Sequence, residues 1–265
     1  MNIKRKRTIY ELIFKRPLDF FCALLAIIML SPIFLILAFL VRVKHGKGII
    51  FKQKRVGKNR KIFWFYKFRS MSNKRDENGE LLPDRERLTK FGKFIRKTSL
   101  DELPQLWNIL KGDMSFIGPR PKDVKECVFF NDEQCQRFAV HPGVSGLAQI
   151  NGRNSINFEK VVEFDIKYVK KVSFWGDVKI FFKTFFVVFK RRDIDAKISP
   201  TETHHFCDYY NDLLLRRGDI TQQEYDERVQ FSKTLEVGDR LQSRDVLLEG
   251  LEKVQEEKKG EVQVV

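Results

Sequence analysis

Two adjacent carboxylates, Asp101 and Glu102, stand among cations and prolines between Arg96 and Pro121. Arg96 and Lys97 precede them, and Arg120 follows inside Gly118-Pro119-Arg120-Pro121. Such a pair can supply a nucleophile, a general acid or base, or oxygen ligands for a hard cation. Guanidinium groups held nearby neutralise and orient phosphate oxygens. Together these residues describe a site for a phosphorylated substrate. An acid pair at a helix start is also an ordinary capping device, so spacing alone leaves that reading open.

The elements that must hold these groups follow from the neighbouring residues. Leu100, Leu103, Leu106 (with Trp107) and Leu110 recur at the spacing of one buried helical face. Pro104 is tolerated only in a first turn, which places the helix start between Ser99 and Asp101. Ser99 followed by Glu102 reads as a capping box, and Gly112 supplies the stop. The carboxylates would then lie at the positive end of a helix dipole, which favours their ionised form. Pro119 and Pro121 fix Arg120 in an extended turn, aimed at a set place.

The 265 residues allow one compact domain with appendages. Charge divides unevenly. Residues 1–192 carry a net +22 and residues 193–265 a net −7, within a total of +15. A basic body suits a polyanionic partner: nucleic acid, an anionic membrane surface or phosphate-rich small molecules. Cys22, Cys127, Cys135 and Cys207 form no C-x-x-C pair and no disulfide-like spacing, which argues for a reducing compartment and against a disulfide-stapled scaffold. His204, His205 and Cys207 cluster in the charged tail without a zinc pattern.

Phe20 to Val41 contains no charge, and its roughly 33 Å as a helix matches a bilayer core. It lacks the short apolar core and cleavage site of a signal peptide. Ser31-Pro32 sits at its centre, where proline removes a backbone bond and serine can bond back to the freed group. Basic residues crowd both ends: Lys4 to Arg7, Lys15 and Arg16 before it, Arg42, Lys44 and Lys47 after it. The positive-inside rule then asks for both ends on the cytoplasmic side. A hairpin re-entering at Ser31-Pro32 satisfies this; a proline-kinked span is the alternative.

Further along, Ile49 to Phe51 opens a strand, Val56 to Arg60 turns, and Ile62 to Met71 returns as a strand with Lys67 and Arg69 on one side. Basic and aromatic residues interleaved there could also stack nucleobases. Ser72 to Glu86 reads as a mobile loop, while Leu88 to Ile95, Lys122 to Ala139 and Phe158 to Val172 read as helices. His141 to Asn154 is a glycine-rich loop whose N–H groups could meet phosphates, without the P-loop spacing. Trp175 to Phe189 carries an aromatic stripe of Phe181, Phe182, Phe185, Phe186 and Phe189 rimmed by lysines and arginines, as expected of a helix lying in the lipid interface. In the acidic tail, residues 209–215, 222–231 and 245–255 read as short amphipathic helices.

Three stretches, residues 65–71 (Phe-Tyr-Lys-Phe-Arg-Ser-Met), 98–121 and 142–154, occur in the order and form that resemble the bacterial sugar transferases. These are the monotopic phosphoglycosyl transferases that begin lipid-linked glycan assembly. The resemblance runs from about residue 13 to 190 and is to the short form of the family. It implies transfer of a sugar 1-phosphate from a UDP-sugar to polyprenyl (undecaprenyl) phosphate, with release of UMP, in polysaccharide, O-antigen or glycoprotein synthesis. By position, Asp101 would be the nucleophile, forming a covalent phosphosugar intermediate, and Glu102 would bind Mg²⁺. Arg96 and Arg120, with Lys67 or Arg69, would neutralise the pyrophosphate. Gly143, Gly146, Gln149, Asn151 and Arg153 would face the nucleotide, and Ser31 and Pro32 would mark the helix break.

The expected fold is α+β and mainly helical. Residues 1–45 form a re-entrant membrane hairpin, residues 46–192 the cytoplasmic catalytic domain with interfacial amphipathic helices, and residues 193–265 an acidic tail. The place implied is the cytoplasmic face of the bacterial inner membrane, against anionic lipid. The tail is expected either to self-associate (a homodimer) or dock a downstream glycosyltransferase, or to fold back on the basic body. Rival readings are a membrane-anchored nucleic-acid-binding protein and a non-catalytic scaffold. The first gives Asp101 and Glu102 no work, so no nucleic-acid partner is expected; the second has no need of an intact acid pair.

Overall fold

A computed structural model describes residues 6–79, 81–127, 130–152, 156–190, 214–218 and 220–234. It is mostly helical, with two small sheets. A π-helical turn, Tyr10–Phe14, leads into α1, Lys15–His45, one helix that runs through Pro32, so the break expected at Ser31-Pro32 does not interrupt it. The Ser31 hydroxyl donates back to the Ile28 carbonyl at 2.8 Å. Among the described residues this is the one helix long and apolar enough to cross a membrane.

α1 lies along the domain. Arg16 donates to the carbonyls of Ile109 (2.6 Å) and Leu110 (2.8 Å), and Ala23 packs with Phe63, Phe65, Leu106, Ile109 and Met114. Further on, Leu37 and Val41 pack with Phe68 and Ile95. At its far end His45 meets the Thr89 hydroxyl at 2.8 Å. Its other face exposes Phe21, Leu25, Ile28, Leu35, Ile36 and Phe39.

β1 (Ile50–Val56) and β2 (Ile62–Phe68) form an antiparallel hairpin as the sequence suggested. Asn59 and Arg60 adopt left-handed backbone in its turn. Among residues 72–79 and 81–86, Arg75 pairs with Leu81 in an isolated bridge and the one-turn helix α2, Asp84–Arg87, begins, while Leu82 N–H bonds the Lys74 carbonyl and Ser72 N–H bonds the Arg87 carbonyl. The next helix, α3, is Lys90–Lys97, begun two residues late because Thr89 caps it through Gly92 N–H.

The central helix departs from expectation. Leu100–Glu102 is a separate 3₁₀ turn, and α4 covers Gln105–Lys111 with Pro104 at its cap position. Ser99 is left-handed with no side-chain cap, so the capping box does not form. Gly112 ends α4 at φ 91°, as expected. Lys122 to Ala139 is likewise not one helix: α5 (Val124–Cys127), α6 (Asp132–Cys135) and a 3₁₀ turn replace it. Asn131 causes the restart, forming a capping box with Gln134.

β3 (Ser115–Ile117) pairs in parallel with β4 (Gly143–Ser145), followed by α7 (Leu147–Ile150). α8 (Phe158–Lys170) and α9 (Phe174–Lys190) come close to the ranges read from sequence. α9 buries Asp177 and Ile180 but exposes Phe174, Trp175, Phe181, Phe182, Phe185 and Phe186. Of the three tail helices expected, α10 (Gln222–Thr234) is present and residues 214–217 are helical. Residues 245–255 lie outside the described residues.

Candidate active site

The 3₁₀ turn presents Asp101 and Glu102 beside β2. In that strand Phe63, Phe65 and Lys67 share one side of the pleat, so the packing that buries the two rings carries Lys67 inward too. Asn108 locks strand to helix: its amide donates to the Trp64 carbonyl at 2.6 Å and accepts from Tyr66 N–H at 3.2 Å. Lys67 Nζ then reaches Glu102 Oε1 at 3.1 Å.

Arg120 arrives from the other side. Gly118 N–H bonds the Ser145 carbonyl (2.8 Å) and Gly143 N–H bonds the Pro119 carbonyl (2.9 Å), which pins the Gly-Pro-Arg-Pro turn to β4. From there the Arg120 guanidinium ion-pairs with Glu102, two of its nitrogens on the two carboxylate oxygens. Arg96 donates to the Ser70 hydroxyl at 2.8 Å and lies close enough for its charge to act on Asp101.

Asp101 is only 6 % exposed. Burial pushes its carboxyl above the ordinary range, opposed by Lys67 and reinforced by Glu102. The dipole argument therefore gives way to desolvation, in keeping with a helix that begins at Gln105, after the acid pair rather than before it. Burial also pulls the Lys67 ammonium down, partly offset by Glu102. Glu102 foremost holds the Arg120 guanidinium above its ordinary value.

Other expected residues fall elsewhere. Arg69 donates to the Lys47 carbonyl at 2.8 Å, away from the acid pair, because it lies beyond the paired strand. Gly143 and Gly146 serve close backbone approach. A Cβ on either would sit 2.1–2.2 Å from Gly118 backbone atoms, and the Gly143 N–H is spent on Pro119. The reading of this stretch as a loop of open N–H groups is thus corrected at residues 143–145, a strand, and 147–150, a helix, and the Gly143 N–H is not open. Gln149 is buried with its amide unpaired among the described residues, while Asn151 bonds the Leu147 carbonyl. Arg153 lies outside the described residues.

Gln105, Asn108, Arg137 and Asp177 escaped notice in the sequence. Gln105 and Asn108 lie off the Leu100, Leu103, Leu106 and Leu110 spacing, so periodicity left no signal for them. Gln105 is 1 % exposed and its amide too has no partner among the described residues.

Among the described residues no group of three or more His, Cys, Asp or Glu gathers to hold a metal. Asp101 and Glu102 nonetheless suit Mg²⁺, a hard cation that takes one or two carboxylates and completes its shell with water and substrate phosphate.

The family model described as bacterial sugar transferase matches residues 10–191. The uncharacterized sugar transferase EpsL of Bacillus subtilis is 48 % identical over 169 residues, covering 64 % of this chain and 84 % of that protein. The undecaprenyl-phosphate galactose phosphotransferase of Salmonella typhimurium is 40 % identical over 194 residues, 67 % of this chain and 40 % of its own length. The UDP-glucose:undecaprenyl-phosphate glucose-1-phosphate transferase of Klebsiella pneumoniae is 39 % identical over 191 residues, with shares of 66 % and 40 %. The chain thus spans most of the first relative and about two fifths of the other two.

Proposed function

Because this chain belongs to the bacterial sugar transferase family, we propose that it transfers a sugar 1-phosphate from a UDP-sugar to undecaprenyl phosphate and releases UMP. The observation that carries this reading is the buried Asp101 beside a Glu102 already paired with Lys67 and Arg120. The activities for which the Salmonella and Klebsiella relatives are named support the same reaction.

In the first step an Asp101 oxygen attacks the β-phosphorus. The Asp101–phosphorus bond forms, the bond to the bridging oxygen breaks, and UMP leaves with the electron pair. An oxygen of undecaprenyl phosphate then attacks the same phosphorus and restores the Asp101 carboxylate. Lys67, Arg96 and Arg120 supply positive charge around the transferring phosphoryl group, in a site where burial strengthens each interaction. Glu102 fixes Lys67 and Arg120 in place. Mg²⁺, held by Glu102 with Asp101, would supply charge neutralisation on the pyrophosphate oxygens.

The same proposal places the domain on the cytoplasmic face with α1 re-entering the membrane. Supporting this, both ends of α1 reach one domain: Arg16 at α4 and His45 at Thr89. A straight helix of 31 residues would be roughly 46 Å long, and a span would carry one of those ends to the opposite face. The exposed aromatic face of α9 fits the lipid interface beside it.

The test is UMP release by the purified full chain from a panel of UDP-sugars, with Mg²⁺ and undecaprenyl phosphate in detergent. Release dependent on the lipid phosphate supports the reading, and its absence with every sugar overturns it. Cysteines introduced at Lys6 and Lys58 should both resist a periplasmic thiol reagent; labelling at position 6 would rule out re-entry.

A further inference from the structure

Arg120 reaches Glu102 from the Gly118-Pro119-Arg120-Pro121 turn, whose start is pinned to β4. What fixes the Arg120 backbone is another arginine. Arg137, 17 residues on, donates from one nitrogen to the Arg120 carbonyl at 2.8 Å and to Asp165 Oδ2 of α8 at 2.7 Å. Both side chains of that ion pair are 1 % exposed.

We propose that Arg137 and Asp165 form a buried latch that positions Arg120 for the transfer reaction. The Arg137 guanidinium ties α8 to the Arg120 carbonyl and thereby sets where the Arg120 side chain meets Glu102. The two are positioning residues and touch no substrate.

Stability alone gives a poor account of the pair. Taking two charges out of water is expensive, and apolar residues of similar volume commonly do as well or better. Burial holds the Asp165 carboxyl above its ordinary range, with Arg137 opposing it only in part. The Arg137 Nε and Nη1 groups have no acceptor among the described residues, a further cost. Phe130 and Phe138, with ring centroids 5.8 and 5.9 Å from the guanidinium carbon, would pack equally well on an apolar side chain. No apolar side chain could hold the Arg120 carbonyl.

The latch has two neighbours at the turn. Val56 N–H bonds the Lys122 carbonyl at 3.2 Å, and Arg55 reaches the Pro121 carbonyl at 3.5 Å. Those contacts fix the end of the turn, and β4 fixes its beginning. It is Arg137 that holds the Arg120 carbonyl. Displacing a catalytic group by about 1 Å can cost roughly 100-fold in rate, so this bond bears directly on turnover.

This inference rests on the transfer reaction proposed above, and the experiment separates the two. Arg137→Met/Asp165→Leu removes both buried charges together. In the full chain it should melt within about 5 °C of wild type while kcat for UMP release falls about 10- to 100-fold. A stable double variant with wild-type kcat overturns the latch. The changes are then repeated in an Arg120→Gln background, with turnover followed over hours using radiolabelled UDP-sugar. If the latch acts through Arg120, they cost less than about twofold there; losses that multiply overturn it. Should the double variant not fold, Arg137→Lys, which keeps the charge but not the reach to both acceptors, carries the same cycle. Wild type that releases no UMP would remove the reaction itself, a result distinct from an active wild type whose losses multiply.

Discussion

Asp101 and Asp177 are both aspartates left 6 % exposed, and they are put to opposite uses. Every oxygen of Asp177 is engaged. Oδ2 accepts from Lys15 at 2.5 Å and Tyr10 at 2.9 Å, and Oδ1 accepts from Tyr168 at 2.8 Å. These bonds join the start of α1 to α8 and α9. Asp101 has no hydrogen bond among the described residues, although Lys67, Arg96 and Arg120 all act on it through their charge. A carboxylate whose lone pairs are filled fastens elements together. One whose lone pairs stay open inside a ring of cations suits the attack on phosphorus proposed above.

Asparagine at the two positions should separate these uses. Asp101→Asn is expected to lower UMP release by about 10⁴-fold or more, with a melting temperature at or above wild type, since the cost of burying that charge disappears. Full turnover by purified Asp101→Asn would remove the covalent mechanism. Asp177→Asn takes its ion-pair partner from buried Lys15, leaving Asp19 to act on it only through charge, and up to roughly 3–5 kcal/mol of stability should go. Measured below its lowered melting temperature, this variant should keep most of its turnover per folded molecule. A stable but inactive Asp177→Asn would erase the distinction between the two aspartates.

Glu102 stands between them, bonded like Asp177 yet placed beside the reacting group. Glu102→Gln should therefore do some of each: a fall in turnover of roughly 100- to 1,000-fold, a raised Mg²⁺ requirement, and a lower melting point because Lys67 and Arg120 lose their counter-ion. Wild-type Mg²⁺ dependence in this variant would take Glu102 out of the metal site.

The acid pair, its flanking arginines and the apolar helix were legible because they are local patterns or lie in one motif. Their distances to each other were not. Lys67 and Glu102 meet only because Asn108 ties β2 to α4, a contact between residues 44 positions apart that leaves no periodic trace. Asp177 reads as one polar residue on an aromatic helix until Tyr10 and Lys15 arrive from the other end of the chain. The misreading of residues 143–146 has a physical reason as well. Glycine permits left-handed turns, phosphate contact and close backbone approach alike, and only the packing against Gly118 decides among them. The helix start moved from Ser99 to Gln105 because Ser99 is left-handed, a conformation rare outside glycine, asparagine and aspartate.

A smaller effect should appear in acid. His141, just before β4, has its pKa pushed down to about 4, first by burial and then by Lys58, Arg16 and Lys15. The unfolded chain takes up this proton near pH 6.5, whereas the folded chain refuses it until about pH 4. Stability from the neutral imidazole is thus complete above pH 6.5 and declines as pH falls toward 4. His141→Gln should flatten that part of the melting-temperature profile and leave the profile above pH 7 parallel to wild type. An unchanged acid slope would show that the decline comes from carboxylates instead.

The weakest effect is expected where the same pairing chemistry lies in water. Arg217 of the tail meets Glu159 of α8, and both side chains are nearly half exposed. Its pull lowers the Glu159 carboxyl, but an exposed pair of this kind contributes about 0–1 kcal/mol. Leu214 lines the same cavity as the pair, and Ile220 nearby in sequence is buried. Arg217→Ala should therefore leave melting temperature and turnover within error, and a chain ended at residue 192 should keep UMP release, since the acid pair and its cations all precede that point. What truncation does to stability then decides between the two roles for the tail. A large fall in melting temperature in low salt, relieved by neither detergent nor lipid, supports fold-back on the basic body. Unchanged melting with loss of a dimer or of a bound glycosyltransferase supports docking. An inactive but folded truncation would place the tail in the active site and overturn both.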